Sequence, residues 1–373
     1  MMTRPNVILL TIDMARNDML DRFPAFARLK AKGALFSGMI TYAPYTIASL
    51  HATFTGLYGK QTNVNGYFKP VKFDKEHCFT LTQYLKREGY YTYADVIAEL
   101  TVPKSGFDRF EVHDEHNDNL LERHTQIIQD TAKTCGDKNF FLYLHYSNIH
   151  TEVVKNVIRK YDAFDKEYFG KINENMEQYE SYVQKACDYL DGIMEAMDRN
   201  NLWENTLFII ISDHGCGVGE KPGEKAYGIY TYDYSIKVFS FFIYPKVFPR
   251  GKEILFQVRS VDIVPTILDI LRIQPDASYK VLNGKSLLPF ISGDERDDRI
   301  AFAETGGLEG PHPSPYSPNV KCVRTKKWKL IYNTTTQIKE LYDLENDPKE
   351  LDNCLERYPE MAAKLWEMLQ EYF

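Results

Sequence analysis

The chain has 373 residues, of which 44% are hydrophobic and 26% charged, and its formal net charge is -7. A chain of that length buries a substantial core and divides into one large α/β domain or a domain with a smaller companion. The near-neutral balance and the lack of any Lys/Arg run exclude a nucleic-acid-binding polycation, so an anionic partner has to be held by local groups.

The chain opens MMTRPNVILLTID. Its apolar run is only about seven residues long and ends on an acid, which predicts a first strand rather than a signal-peptide core. RFPAFARLKAKG reads as a helix closing on Gly33, and ALFSGMITYA as a second strand. In YAPYTIASLHATFTGLYG, residues 42–59, hydroxyls crowd ahead of an apolar, helix-compatible run. Thr46, Ser49, Thr53 and Thr55 compete there for a chemical role, against the plainer alternative of a helix N-cap. LTQYLKREGYYTYADV repeats helix then strand, with Gly89 ending the helix, and KNFFLYLHYS is another buried strand. Over residues 178–199, Tyr179, Tyr182, Val183, Ala186, Leu190, Ile193, Met194 and Met197 form one helical stripe, which reads as core packing. NNLWENT leads into the strand of LFIIISDHG, and VFSFFIY is a further strand. The last part, KCVRTKKWKLIYNTTTQIKELYDL, has short β-rich runs before a helix from about Pro359, with PHPSPYSPN (311–319) as the loop ahead of it.

This alternation predicts a largely parallel sheet covered by helices on both faces. No window reaches the ~18 apolar residues needed to span a bilayer, so no transmembrane segment is expected. Six scattered cysteines (Cys78, Cys135, Cys187, Cys216, Cys322, Cys354) lack CxxC spacing and read as free thiols, with the cytoplasm as the expected location.

In open α/β sheets the ligand site lies outside the carboxyl ends of the strands. Asp13 follows VILLTI, His150 follows FLYLHYSNI, and Asp213-His214 follow LFIIIS. Each alone is as well explained by a turn or a satisfied core residue. Together they offer the oxygen and nitrogen donors a divalent cation takes. Gly215 after Asp213-His214 is expected to give the strand exit an unhindered turn.

NVILLTID, TFTGLYG, HYSNIH, ENTLFIIISDHG, YDYSIKV, SVDIVPTILDIL with LNGKSLLPFISG, and VRTKKWKLIYN with ELYDLENDPKEL, in that order, resemble the sulfatase family of the alkaline phosphatase superfamily. The resemblance covers nearly the whole chain. It implies an alkaline-phosphatase-like α/β fold, a mixed, mostly parallel sheet sandwiched by helices over residues 1–300. A smaller C-terminal subdomain of antiparallel strands and a terminal helix is implied over 301–373.

In sulfatases the segment before LTG reads Cys or Ser, any residue, Pro, any residue, Arg, and its first residue becomes the catalytic formylglycine. That position here is Thr46, with Ala48 at the Pro place and Leu50 at the Arg place. None of the six cysteines stands in the pattern, so the modification has no substrate. Phosphoryl-handling relatives use a threonine at this place, which makes Thr46 the expected nucleophile, with Ser49 and His51 as neighbours of unassigned role. A threonine hydroxyl needs a base or a cation to become a good nucleophile.

The resemblance therefore implies one divalent ion on Asp13, Thr46, Asp213 and His214. Mixed Asp/His coordination favours Mn²⁺, Mg²⁺ or Zn²⁺ over Ca²⁺, as does Met14 where sulfatases carry a second acid. His150 matches a family substrate-binding histidine, and Lys60, Lys225 or Arg16 are candidates to supply positive charge. The implied activity is metal-dependent hydrolysis or transfer on a phosphate mono- or diester through a phospho-threonine. Sulfate ester hydrolysis without formylglycine and a ligand-binding member without turnover are the alternatives. The segments 150–175 and 215–232, rich in Lys and Tyr, are the expected rim for a small-molecule, glycan or lipid-headgroup ester.

Overall fold

The apolar runs become the strands of one mixed sheet. They are β1 (Asn6–Ile12), β2 (Ala34–Ile40), β3 (Tyr91–Val96), β4 (Arg109–Val112), β5 (Phe140–Tyr146), β6 (Thr206–Ile211), β7 (Lys237–Ile243), β8 (Lys252–Ile254) and β9 (Val258–Arg259). The computed structural model describes residues 4–66, 72–306 and 317–373. Strand order is β4-β3-β5-β1-β6-β7-β2-β8, with β9 also pairing β2. β1 is central and runs parallel to β5 (Ile12↔Tyr146) and to β6 (Thr11↔Ile211). β7 runs antiparallel to both β6 and β2, so the sheet is mostly parallel but mixed.

The continuous apolar character of β1 follows from burial on both faces. Side chains alternate across a strand. Ile8, Leu10 and Ile12 therefore join Phe26, Leu29, Ile128 and Leu190 in one core, while Val7 and Leu9 join Leu50, Phe54, Leu85 and Ile267 in the other. Helices Pro24–Lys32, Leu120–Cys135 and Ile172–Arg199 cover the first face, and helices Thr46–Thr55, Leu81–Arg87 and Ile263–Leu271 the second. Each such side chain withdrawn from water contributes about 1.5–3 kcal/mol.

Helix Leu81–Arg87 starts in a Thr80/Gln83 capping box and ends at Glu88, with Gly89 left-handed (φ 86°) just beyond. Helix Ile172–Arg199 begins before the apolar stripe does, because its first turns face solvent and carry no periodic signal. Four antiparallel strands, β10 (Ala301–Thr305), β11 (Val320–Arg324), β12 (Trp328–Asn333) and β13 (Ile338–Asp343), form a second sheet. Helix Pro359–Tyr372 packs Leu365 and Leu369 against Val323, Leu330 and Leu341 of that sheet. Asp233, half-buried, lies between Arg324 (2.6 Å) and Lys329 (2.9 Å), which joins the segment after β6 to β11 and β12. Of the loop expected at 311–319, residues 311–316 lie outside the described residues. The cysteines are unpaired, and no helix among the described residues is long and apolar enough to cross a membrane.

Candidate active site

The parallel core of the sheet delivers its polar residues to the carboxyl ends of its strands. Asp13 follows β1 and keeps its backbone N–H on the Tyr146 carbonyl of β5 (3.0 Å), while Asp213 and His214 follow β6. Helix Thr46–Thr55 starts at the same end of the sheet, with Tyr45 at its N-cap position and no side-chain cap bond. Thr46 is its first residue, half-buried, and its Oγ1 stands 3.3 Å from His214 Nε2. The other three hydroxyls are committed elsewhere. Ser49 donates to the Asp213 carbonyl (2.7 Å), Thr53 to the Ser49 carbonyl (2.9 Å) and Thr55 to the His51 carbonyl (2.7 Å). Of the four, Thr46 is the one whose hydroxyl meets the His214 imidazole.

The acids are buried and half satisfied. Asp13 Oδ2 accepts from His145 Nε2 at 3.1 Å, whereas its Oδ1 has no hydrogen-bond partner and lies 3.4 Å from His214 Nε2. Asp213 Oδ1 accepts from the backbone N–H groups of Met14 (3.3 Å) and His214 (2.9 Å). Its Oδ2 is buried without a partner, 3.8 Å from the same imidazole nitrogen. Leaving a buried carboxylate oxygen unpaired is costly, and here two such oxygens converge on one nitrogen. His214 Nδ1 lies 2.8 Å from the Gly215 carbonyl, an acceptor only, and donates to it, so Nε2 is the nitrogen that can offer a lone pair to a cation. Ligand atoms of Asp13, Asp213 and His214 all lie within 4.8 Å of one another. Two orphaned oxygens and one lone-pair nitrogen fit a divalent cation.

The same crowding splits the acidities. Burial pushes Asp13 up, but the His145 hydrogen bond and the His150 and His214 imidazoles outweigh it and hold it below the ordinary carboxylate range. Burial and the Asp13 charge together push Asp213 above that range. Burial also lowers the His150 pKa against the pull of Asp13.

Two backbone features hold the acids in place. Met14 adopts a left-handed conformation (φ 63°), uncommon for a residue with a side chain. Its carbonyl accepts from Tyr179 Oη at 2.7 Å, and the same hydroxyl accepts from Arg16 N at 2.9 Å. One member of the apolar stripe thus anchors the loop behind Asp13. Gly215 is needed for closeness rather than for an unusual φ: a Cβ there would sit 1.9 Å from the Tyr234 carbonyl oxygen, and Gly215 N donates to the Ser235 carbonyl at 2.7 Å. Gly215→Ala is expected to destabilise the protein by about 2–4 kcal/mol, read from denaturant unfolding, because backbone rather than a flexible side chain must give way. A loss below about 0.5 kcal/mol would remove this account.

Other sequence candidates fall into two groups. His150 joins the cluster, its Nδ1 unpartnered and 3.9 Å from Asp13 Oδ2. The three cations are placed in other contacts. Arg16 bridges Asp18 (2.7 Å) and Glu220 (2.5 Å) and donates to the Cys216 carbonyl (2.8 Å). Lys225 Nζ donates to the Ile158 (3.0 Å) and Tyr161 (2.6 Å) carbonyls, and so ties the two rim segments together. Lys60 is exposed and donates to the Tyr372 carbonyl at 3.1 Å. His51 is buried, its Nδ1 2.8 Å from the Ile47 carbonyl, and burial lowers it to about 4. Sequence reasoning missed His145, although it stands in the same strand-end stretch HYSNIH as His150. It also missed Tyr227, whose ring lies 5.1 Å from that of His214 and 5.6 Å from that of His150.

The family model "Sulfatase" matches residues 5–273, and "N-sulphoglucosamine sulphohydrolase, C-terminal" matches 227–372. Choline-sulfatase of Rhizobium meliloti is 26% identical over 220 residues, 55% of this chain and 41% of that protein. Arylsulfatase K of Rattus norvegicus is 29% identical over 219 residues, 56% of this chain and 38% of that protein. The chain thus matches about two fifths of the length of these curated relatives. The phosphonate monoester hydrolase of Agrobacterium radiobacter superposes with a TM-score of 0.74 at 18% identity, covering 99% of this chain and 95% of its own. BT4656, solved with its substrate D-glucosamine-2-N,6-O-disulfate, gives 0.76 at 16% identity over 99% of this chain and 97% of its own. At such identities these two superpositions establish the fold.

Proposed function

The chain belongs to the sulfatase family, and from that membership we propose a metal-dependent hydrolase or transferase acting on a phosphate mono- or diester through a covalent phospho-threonine at Thr46. The observation that carries the reading is the convergence of Thr46 Oγ1 and two unpartnered carboxylate oxygens on His214 Nε2. A divalent ion held by Asp13, Asp213, His214 and the Thr46 hydroxyl would supply Lewis-acid stabilisation of the alkoxide and of charge on the transferred group. The nitrogen donor favours Mn²⁺, Mg²⁺ or Zn²⁺ over Ca²⁺.

The chain's own groups account for the rest. Thr46 Oγ1 gives its proton to solvent water and attacks phosphorus, the new Oγ–P bond forms as the ester P–O bond opposite breaks, and the departing oxygen takes a proton from solvent. Water then cleaves the Oγ–P bond and restores the hydroxyl, or an alcohol takes the phosphoryl group instead. His150, unpartnered at Nδ1, is a hydrogen-bonding group for the substrate. Residues 1–300 would form the catalytic unit and 301–373 the smaller one. The segments 150–175 and 215–232 would admit a phosphorylated sugar, glycerol or lipid headgroup.

A sulfate ester is the second reading, favoured by the sulfatase names of the relatives. Rates on an aryl phosphate monoester, an aryl phosphate diester and an aryl sulfate separate the two. Phosphate esters are expected to turn over at least about tenfold faster, since the position that becomes formylglycine holds Thr46. Faster sulfate release would reverse the order of the two readings, and bound metal without turnover of any ester would leave a binding protein.

A further inference from the structure

The sheet order sets a second row of polar residues beside the Thr46 site. Asp95 lies at the carboxyl end of β3, His113 directly after β4, Ser147 directly after β5 and Asp13 directly after β1, four neighbouring strands. Asp95 Oδ1 accepts from His113 Nδ1 at 2.7 Å and from His124 Nε2 at 3.1 Å, while Arg123 Nε donates to Oδ2 at 2.7 Å. His113 Nε2 stands 2.9 Å from Ser147 Oγ, and His124 Nδ1 2.6 Å from Tyr189 Oη. Asp95, His113, His124 and Ser147 are all buried.

The proton pattern follows from the acceptors. His113 Nδ1 donates to the carboxylate, and in the neutral imidazole Nε2 then accepts from the Ser147 hydroxyl. This is the order of groups of an acid, an imidazole and a hydroxyl that activates nucleophiles, but Ser147 is 0% exposed and no substrate reaches it. Ligand-type atoms of Asp95, His113 and His124 also come within 4.8 Å of one another. A guanidinium on Asp95, with Ser147 and Tyr189 on the far nitrogens, completes that network without an ion.

Ser147 precedes helix Asn148–Val153, and its carbonyl accepts from Thr151 N (3.0 Å) and Thr151 Oγ1 (3.2 Å). Thr151 Oγ1 also donates to Glu115 Oε2 at 2.9 Å. The segment following β4 therefore grips this turn at two points, through His113 and through Glu115. The turn carries His150, whose Nδ1 makes no hydrogen bond of its own. We propose that Asp95, His113 and Ser147 form a positioning relay that fixes this turn and, through it, places the His150 imidazole over Asp13, Asp213 and His214. The proposal rests on the reading of the Thr46 site as the reacting centre.

A double-mutant cycle between Ser147→Ala and His150→Ala tests it, with an aryl phosphate diester as substrate, alongside NMR of ¹⁵N-histidine-labelled protein. Ser147→Ala is expected to lower kcat about 10-fold with little change in KM, as loss of an orienting partner does elsewhere. In the His150→Ala background the same change should alter kcat less than about twofold. The His150 ring resonances are expected to shift in Ser147→Ala while the melting temperature stays within a few degrees. An unchanged kcat, or an equal loss in both backgrounds, overturns the relay, because a merely structural serine would act independently of His150. A second equivalent of bound zinc lost in His124→Ala overturns it in favour of a metal site. If the unmodified protein hydrolyses no ester, the reading of the Thr46 site fails by itself, and the NMR arm still decides: unmoved His150 resonances in Ser147→Ala overturn the relay. Should Ser147→Ala not fold, His113→Gln is put through the same measurements.

Discussion

Replacing Thr46 by alanine is expected to lower turnover by roughly 10³ to 10⁶ while the protein stays folded, as loss of a covalent nucleophile does in other hydrolases. The fold should survive because Thr46 sits at the first position of its helix, is half-buried, and directs its hydroxyl to His214 Nε2 at 3.3 Å rather than into the helix backbone. A capping threonine would behave in the opposite way, costing about 1 kcal/mol of stability and leaving most of the rate. Thr46→Ser keeps a hydroxyl and should keep part of the activity. Rapid quenching with a slow phosphate ester should trap a phosphorylated peptide from residues 42–59. A rate like that of the unmodified protein in Thr46→Ala, on any ester the protein turns over, would remove the covalent mechanism.

Elemental analysis is expected to find about one equivalent of a divalent metal in the purified protein and none in the double variant Asp213→Asn, His214→Ala. The reason lies in the two unpartnered oxygens, Asp13 Oδ1 and Asp213 Oδ2, and in the lone-pair nitrogen of His214. The Asp213→Asn change keeps a side-chain carbonyl oxygen able to accept from the backbone N–H groups of residues 14 and 214, so the backbone around the site has no cause to unravel. Removing the Asp213 charge also relieves the burial and like-charge strain that raise its pKa, so metal loss in the variant would not be a by-product of unfolding. Chelation should abolish activity reversibly, and added metal should raise the melting temperature of the unmodified protein. Full occupancy in the double variant would refute the ligand assignment.

Much of this arrangement is legible in the amino-acid sequence. NVILLTI, FFLYLHY and TLFIII announce buried strands because continuous apolar runs are what a sheet covered on both faces requires. Asp13 and Asp213-His214 could be picked out because strand ends in such sheets are where polar residues collect. The antiparallel course of β7 carried no signal, since VFSFFI is buried on both faces and reads the same in either direction. The cations were harder. Arg16, Lys60 and Lys225 have the right charge for a phosphoryl site, yet a sequence does not show that Arg16 meets Asp18 and Glu220 or that Lys225 meets two backbone carbonyls. His145 was hidden for a related reason: inside the run LYLHYS it looks like one buried polar residue, and only the register Thr11↔His145 brings it close to Asp13. The sequence marks Gly215 as a turn former, whereas what requires glycine there is the close approach of the Tyr234 backbone, which composition does not encode.

The sequence distances within the main sheet bear on when the protein comes into being. β1 gains one neighbour at Val7↔Phe141 and the other at Asn6↔Thr206, and Thr46 meets an imidazole 168 residues further along. Closing loops of that span comes before any contact that rewards it, which makes folding slow compared with helical proteins of local contact. On a growing nascent chain, translated from the N-terminus, Asp13 and Thr46 emerge long before β6 does. Until residue 214 has left the ribosome, β1 exposes an unpaired edge of Val, Ile and Leu, a surface on which chaperones act. The centre is thus assembled late in synthesis, and a ribosome stalled before β6 would release a chain carrying the hydroxyl and one acid but no means of bringing them together.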